Sequence, residues 1–117
     1  MVRSLPPCIA ELEGLNKLYD ANKLNKNFQL FSFNTDNLEK IKKNVKRFKI
    51  EYPVIYLEKT KAYQMNYQSG FPATFIINSV GKVVYISFGG PIDNKKATEK
   101  IMTIYNTKVL QELNKIQ

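Results

Sequence analysis

The 117-residue chain has no histidine, no tryptophan and one cysteine, Cys8. A single cysteine excludes an intrachain disulfide and any multi-cysteine metal site. Without histidine, zinc ligation and Ser-His or Cys-His catalysis within the chain are excluded as well. Arginine is almost missing too: Arg3 and Arg47 are the only two, against sixteen lysines. No apolar run reaches membrane-spanning length, so no membrane segment is expected. Met1-Val2-Arg3 leads straight to a proline pair and is not expected to be a signal peptide. A targeting segment upstream of Met1 is left open.

What remains is ordinary for one globular domain, with 44% hydrophobic and 24% charged residues. The formal net charge is +8. Lys40, Lys42, Lys43, Lys46 and Lys49 fall at outward positions of a helical pattern, which reads as a solvated surface. With so little arginine and no nucleic-acid motif, no nucleic-acid partner is expected.

Hydrophobic spacing orders the chain. Cys8, Ile9, Leu12, Leu15, Leu18 and Tyr19 step by three and four, and so predict an amphipathic helix from Cys8 to Asn22. Pro6 and Pro7 suit its first turn. Gly14 weakens its middle and is a candidate bend. Asn27 to Phe33, NFQLFSF, predicts a strand buried on both faces. Asp36 and Glu39 resemble a capping box at the start of a second helix, with Leu38, Ile41, Val45 and Phe48 as its stripe. Tyr52 to Leu57 reads as extended, and Lys59 to Tyr67 as a short helix or an irregular stretch. Ala73–Asn78 and Lys82–Phe88 predict a hairpin about Ser79-Val80-Gly81. Asp93 or Asn94 caps a last helix with the stripe Ala97, Ile101, Ile104, Tyr105 and Leu113. This alternation predicts a single α/β domain over residues 1–117, with a mixed sheet flanked by helices.

In that order, a cysteine opens the first helix and GFPATF opens the hairpin. The combination resembles the thioredoxin fold, and more narrowly the TlpA/ResA-like thiol-disulfide oxidoreductases and AhpC/TSA-type redoxins. Their W-C-P-P-C-x-x-E site is matched here by Ser4, Leu5, Pro6, Pro7, Cys8 and Glu11. Asn34-Thr35-Asp36, Ile50 to Val54 and Gly70 to Val84 match further family segments, so the likeness covers almost the whole chain.

The resemblance implies that Cys8 holds the resolving-cysteine position and that Leu5 replaces the nucleophilic cysteine. It implies that Pro72 is a cis-proline and that Phe71 and Pro72, with Pro6 and Pro7, form a substrate-binding loop facing the site. Thiol-disulfide exchange needs an attacking thiolate, and leucine has none to offer. The expected function is therefore a thioredoxin-like protein with a degenerate dithiol site and weak or absent activity. The alternative is a peptide-binding module built on an apolar patch of Leu5, Phe71 and Pro72. Cys8 is either a buried inert thiol or a single reactive one. Glu11 either matches the family glutamate or faces outward. No cofactor or metal is expected. The partners in view are extended peptides or protein thiols, or a second copy in a homodimer or strand-swapped oligomer. The relatives place the protein in the periplasm or cell envelope. They also carry a central strand before the site, and here only Met1 to Ser4 precede it. The chain therefore reads as a truncated frame or a fragment with exposed sheet edges.

Overall fold

A computed structural model describes residues 6–65 and 72–116. Helix α1 (Pro6–Asn22) is followed by β1 (Ser32–Asn34), α2 (Leu38–Arg47), β2 (Val54–Tyr56) and α3 (Lys59–Met65). The second half holds β3 (Ala73–Ile77), β4 (Val83–Phe88), α4 (Asn94–Lys100), a π-helical segment (Ile101–Tyr105) and α5 (Asn106–Asn114).

The pairing is mixed, but the sheet is split. β1 and β2 run parallel, with Ser32 opposite Val54 and Asn34 opposite Tyr56. β3 and β4 run antiparallel, with Ala73 opposite Phe88 and Ile76 opposite Tyr85. Among the described residues no strand joins the two pairs. Both pairs lie on one core of Leu15, Leu18, Tyr52, Ile101 and Tyr105, reached by Val54 from one pair, by Leu30 just before it, and by Ile76 and Tyr85 from the other.

Helix α1 is continuous through Gly14, which is a point of close contact. A Cβ at residue 14 would stand 2.8 Å from Ile101 Cδ1 and 2.9 Å from the Thr98 Cα. Only glycine lets α1 and the C-terminal helix approach so closely. Asn16 fastens the other side of α1. Its side chain donates to Lys49 O and accepts from Glu51 N, both at 3.0 Å.

Three expectations need correction. NFQLFSF is neither a strand throughout nor buried on both faces, since the strand is Ser32–Asn34. Ser32 and Asn34 are buried, while Phe31 is half exposed, because only one face of β1 meets the core. The cap of α2 is Asn37, which accepts from Lys40 N at 2.8 Å. Asp36 lies one residue too early, where its own N–H donates to Asn34 Oδ1 at 2.8 Å. In the last helix Ala97, Ile101, Tyr105 and Val109 are buried and Ile104 is exposed. Successive steps of four would drift around an α-helix. The π segment at Ile101–Tyr105, with its i→i+5 turn, keeps them on one side.

The other local readings hold. Asp93 caps α4, accepting from Lys95 N at 2.8 Å. In the hairpin turn, Asn78 Oδ1 accepts from Val80 N and Lys82 N, and Gly81 takes a φ of +84°. No helix among the described residues is long and apolar enough to cross a membrane.

Candidate functional site

Helix α1 begins at Pro6. Neither Pro6 nor Pro7 has an amide hydrogen, so the first N–H of the helix belongs to Cys8. Cys8 is 0% exposed. The first turns of α1 are buried on nearly every side, since Ala10, Glu11 and Leu12 are buried with it. Leu5 and Phe71 lie outside the described residues, as does the Phe71–Pro72 peptide bond expected to be cis. Pro72 is among the most fully buried side chains in the protein. Its carbonyl accepts from Gly89 N at 2.7 Å, which anchors the start of β3 to the end of β4.

Glu11, one turn beyond Cys8, faces inward and is only 2% exposed. Burial pushes its carboxyl up from 4.5 to about 7, and the positive charge of Lys100 offsets part of the rise. Lys100 is itself held by Ser87 Oγ at 3.0 Å. A Cβ on Gly90 would come within 3.1 Å of Glu11 Oε2, so the loop after β4 closes over the carboxyl. No hydrogen-bond partner reaches Glu11 Oε1 among the described residues. Two tyrosines share this interior. The Tyr52 hydroxyl is raised by burial and then by the nearby Glu11 charge. Tyr105 is raised mainly by burial, with Ser87 drawing it back and Glu11 adding to the rise.

The structure thus brings together Cys8, Glu11, Gly90, Lys100 and the two tyrosines. The last four were not singled out from the sequence. Glycine and lysine there carry no local signal, and the tyrosines look like stripe residues. The chemistry available is that of a carboxyl which changes charge near neutrality, one helical turn from a sulfur. Among the described residues no cluster of ligands fits a metal ion.

The AhpC/TSA family pattern matches residues 3–86, which include the helix of Cys8 and Glu11, β3 and the first part of β4. The chain belongs to the AhpC/TSA family. Its fold is thioredoxin-like, as in the TlpA/ResA-like redoxins. StoA from Bacillus subtilis superposes with a TM-score of 0.66 at 20% identity, over 85% of this chain and 75% of that one. A protein assigned as the thiol:disulfide interchange protein DsbE of Chlorobium tepidum gives 0.71 at 19% identity, over 96% of this chain and 72% of the other. No curated protein matches the sequence. The AhpC/TSA redoxin therefore carries Pro6, Pro7, Cys8 and Glu11 at the head of its first helix, with leucine at position 5.

Proposed function

We propose that this redoxin has a degenerate dithiol site and that its thiol-disulfide oxidoreductase activity is weak or absent. The observation that carries this reading is the state of its only thiol. Cys8 is wholly buried, and residue 5, where the family has its attacking cysteine, is leucine. Exchange needs an exposed thiolate lined up with a disulfide. A buried thiol at the resolving position performs the second half of a cycle whose first half has no nucleophile. Glu11 remains beside it as an acid or base near neutral pH. The competing reading is a peptide-binding patch of Leu5, Phe71 and Pro72, which needs Pro72 at the surface. Its deep burial favours the degenerate redox site.

The test is insulin reduction with dithiothreitol, run on the chain and on Leu5→Cys. The unaltered chain is expected at background. Leu5→Cys is expected to exceed it by about tenfold or more, because it restores the attacking sulfur. Strong activity in the unaltered chain refutes the reading. Resemblance to the TlpA/ResA-like proteins leads us to place the protein in the periplasm or cell envelope, which fractionation of the source cells checks.

A further inference from the structure

Helix α2 carries half of the chain's net charge. Its five cations, Lys40, Lys42, Lys43, Lys46 and Arg47, less its one acid, Glu39, leave +4 of the chain's +8. All six of these residues are exposed. On other helices lysines stand beside acids. Lys17 of α1 lies 4.0 Å from Glu13, and Lys108 of α5 lies 3.9 Å from Glu112. Among the described residues no ion pair reaches α2. Its like charges also face one another. Lys40 and Lys43, Lys43 and Arg47, and Lys42 and Lys46 are three or four residues apart, where like charges destabilise a helix. Lys40 stands in the first turn, the end that disfavours a cation, and the cap there is the neutral Asn37. The packing of α2 gains nothing from this charge, since Ile41 and Val45 turn the other side of the helix to the fold.

Three of the cations form a row. Lys40, Lys43 and Arg47, with Asn37, Glu39 and Asn44, line a groove of about 380 Å³, and Lys42 and Lys46 lie outside it. The Arg47 guanidinium sits 5.1 Å over the Phe48 ring, which steadies it and leaves its in-plane N–H groups to donate to a carboxylate. Along the helix axis the row rises by about 4.5 Å and then by about 6 Å. A second helix with carboxylates three and four residues apart repeats those steps. A strand sets side chains of one face about 6.6 Å apart and does not. Glu39 in the lining narrows the choice further. It repels a uniformly anionic surface, such as a layer of lipid headgroups or a phosphate backbone, whereas a polypeptide can set a neutral or basic side chain opposite it. A second copy of the chain would bring +8 against +8.

We propose that the groove on α2 docks an acidic helix of a partner protein, whose carboxylates at three- and four-residue spacing meet Lys40, Lys43 and Arg47. Charge complementarity supplies the attraction and the spacing of the row supplies the selectivity. The surface includes none of the residues around Cys8 and Glu11, so it stands or falls separately from the degenerate dithiol site.

The test uses the whole chain and two synthetic helical peptides of one composition. The first carries glutamates at i, i+3, i+4 and i+7, on one face. The second scatters the same glutamates around the helix. The first is expected to bind about tenfold tighter or more and to move the amide NMR signals of Lys40, Lys43, Asn44 and Arg47. Its affinity is expected to fall as salt is raised. Lys43→Glu is expected to weaken it about tenfold or more, and Lys42→Glu, the same change in net charge outside the groove, by less than about threefold. Absence of binding, equal affinity for the two peptides, equal losses in the two variants, or signals that move elsewhere overturns the proposal. So does tighter binding to phosphatidylglycerol vesicles or to duplex DNA than to the first peptide, because the occupant is then a lipid surface or a nucleic acid.

Discussion

Replacing Glu11 by glutamine removes the carboxyl that burial lifts from 4.5 to about 7 while keeping its size. The sign follows from comparing folded and unfolded chains. Below about pH 4.5 the carboxyl is protonated in both, and nothing is lost. Between 4.5 and 7 the unfolded chain ionises first and is favoured, so stability falls as pH rises. Above about 7 both forms are ionised and the full penalty is present. Raising a carboxyl from 4.5 to about 7, at about 1.36 kcal/mol per tenfold, amounts to roughly 3 kcal/mol. The window is unusually clean because the chain has no histidine. Ordinary carboxyls titrate below it, and the α-amino and thiol groups ordinarily titrate above it. Urea unfolding from about pH 5 to pH 7.5 is expected to show the natural chain losing roughly 2–3 kcal/mol, while Glu11→Gln stays nearly flat. Parallel pH profiles for the two proteins would refute the assignment. So would a Glu11 carboxyl carbon that titrates near 4.5 in the folded protein by NMR.

Three further outcomes test the packing around this helix. Gly14→Ala gains roughly 1 kcal/mol of helix propensity. Its Cβ must still push back the Thr98 backbone and Ile101, so a net loss of about 1–2 kcal/mol is expected in urea unfolding. Equal or greater stability would sink the close-approach account. Asp93→Ala strips the cap of α4 and is expected to cost about 1 kcal/mol, measured as a lowered denaturation midpoint. Cys8 is expected to react with a thiol reagent far more slowly in the native protein than in urea. Comparable rates would show that its 0% exposure does not protect it.

Much of the fold was legible because its signals are local. The stripe of α1, the Asp93 cap and the turn at Gly81 each depend on a few adjacent residues. The failures have one physical origin, which is tertiary context. NFQLFSF carries enough apolar residues to fill two faces, but whether a second face is covered depends on elements remote in sequence. The stripe ending at Leu113 assumed an unbroken α period, and a π turn at Ile101–Tyr105 brought Val109 inward instead. Glu11 was undecidable for the same reason. One turn after Cys8, it falls beside the buried stripe. Only the loop at Gly90 and the approach of the C-terminal helix determine that it is enclosed.

That enclosure bears on the degenerate redox site proposed above. An apolar residue would fill the position of Glu11 without the pH-dependent loss worked out above. A carboxyl tuned to neutrality has a use where a proton is to be moved, and it stands one turn from the sulfur. Leu5 is the opposite case. It puts an apolar side chain immediately before a helix whose first N–H is that of Cys8, where a polar side chain would be favoured by about 1 kcal/mol. In the degenerate-site reading proposed above, Glu11 is kept at a cost to stability, and leucine at position 5 brings no capping gain. If both readings are right, the sulfur at position 5 is the one missing component. Leu5→Cys alone then suffices for dithiol turnover in the insulin assay, and adding Glu11→Gln to it lowers the rate and alters its pH profile near 7. Should Leu5→Cys remain at background in a folded protein, the α1 site lacks more than its nucleophile.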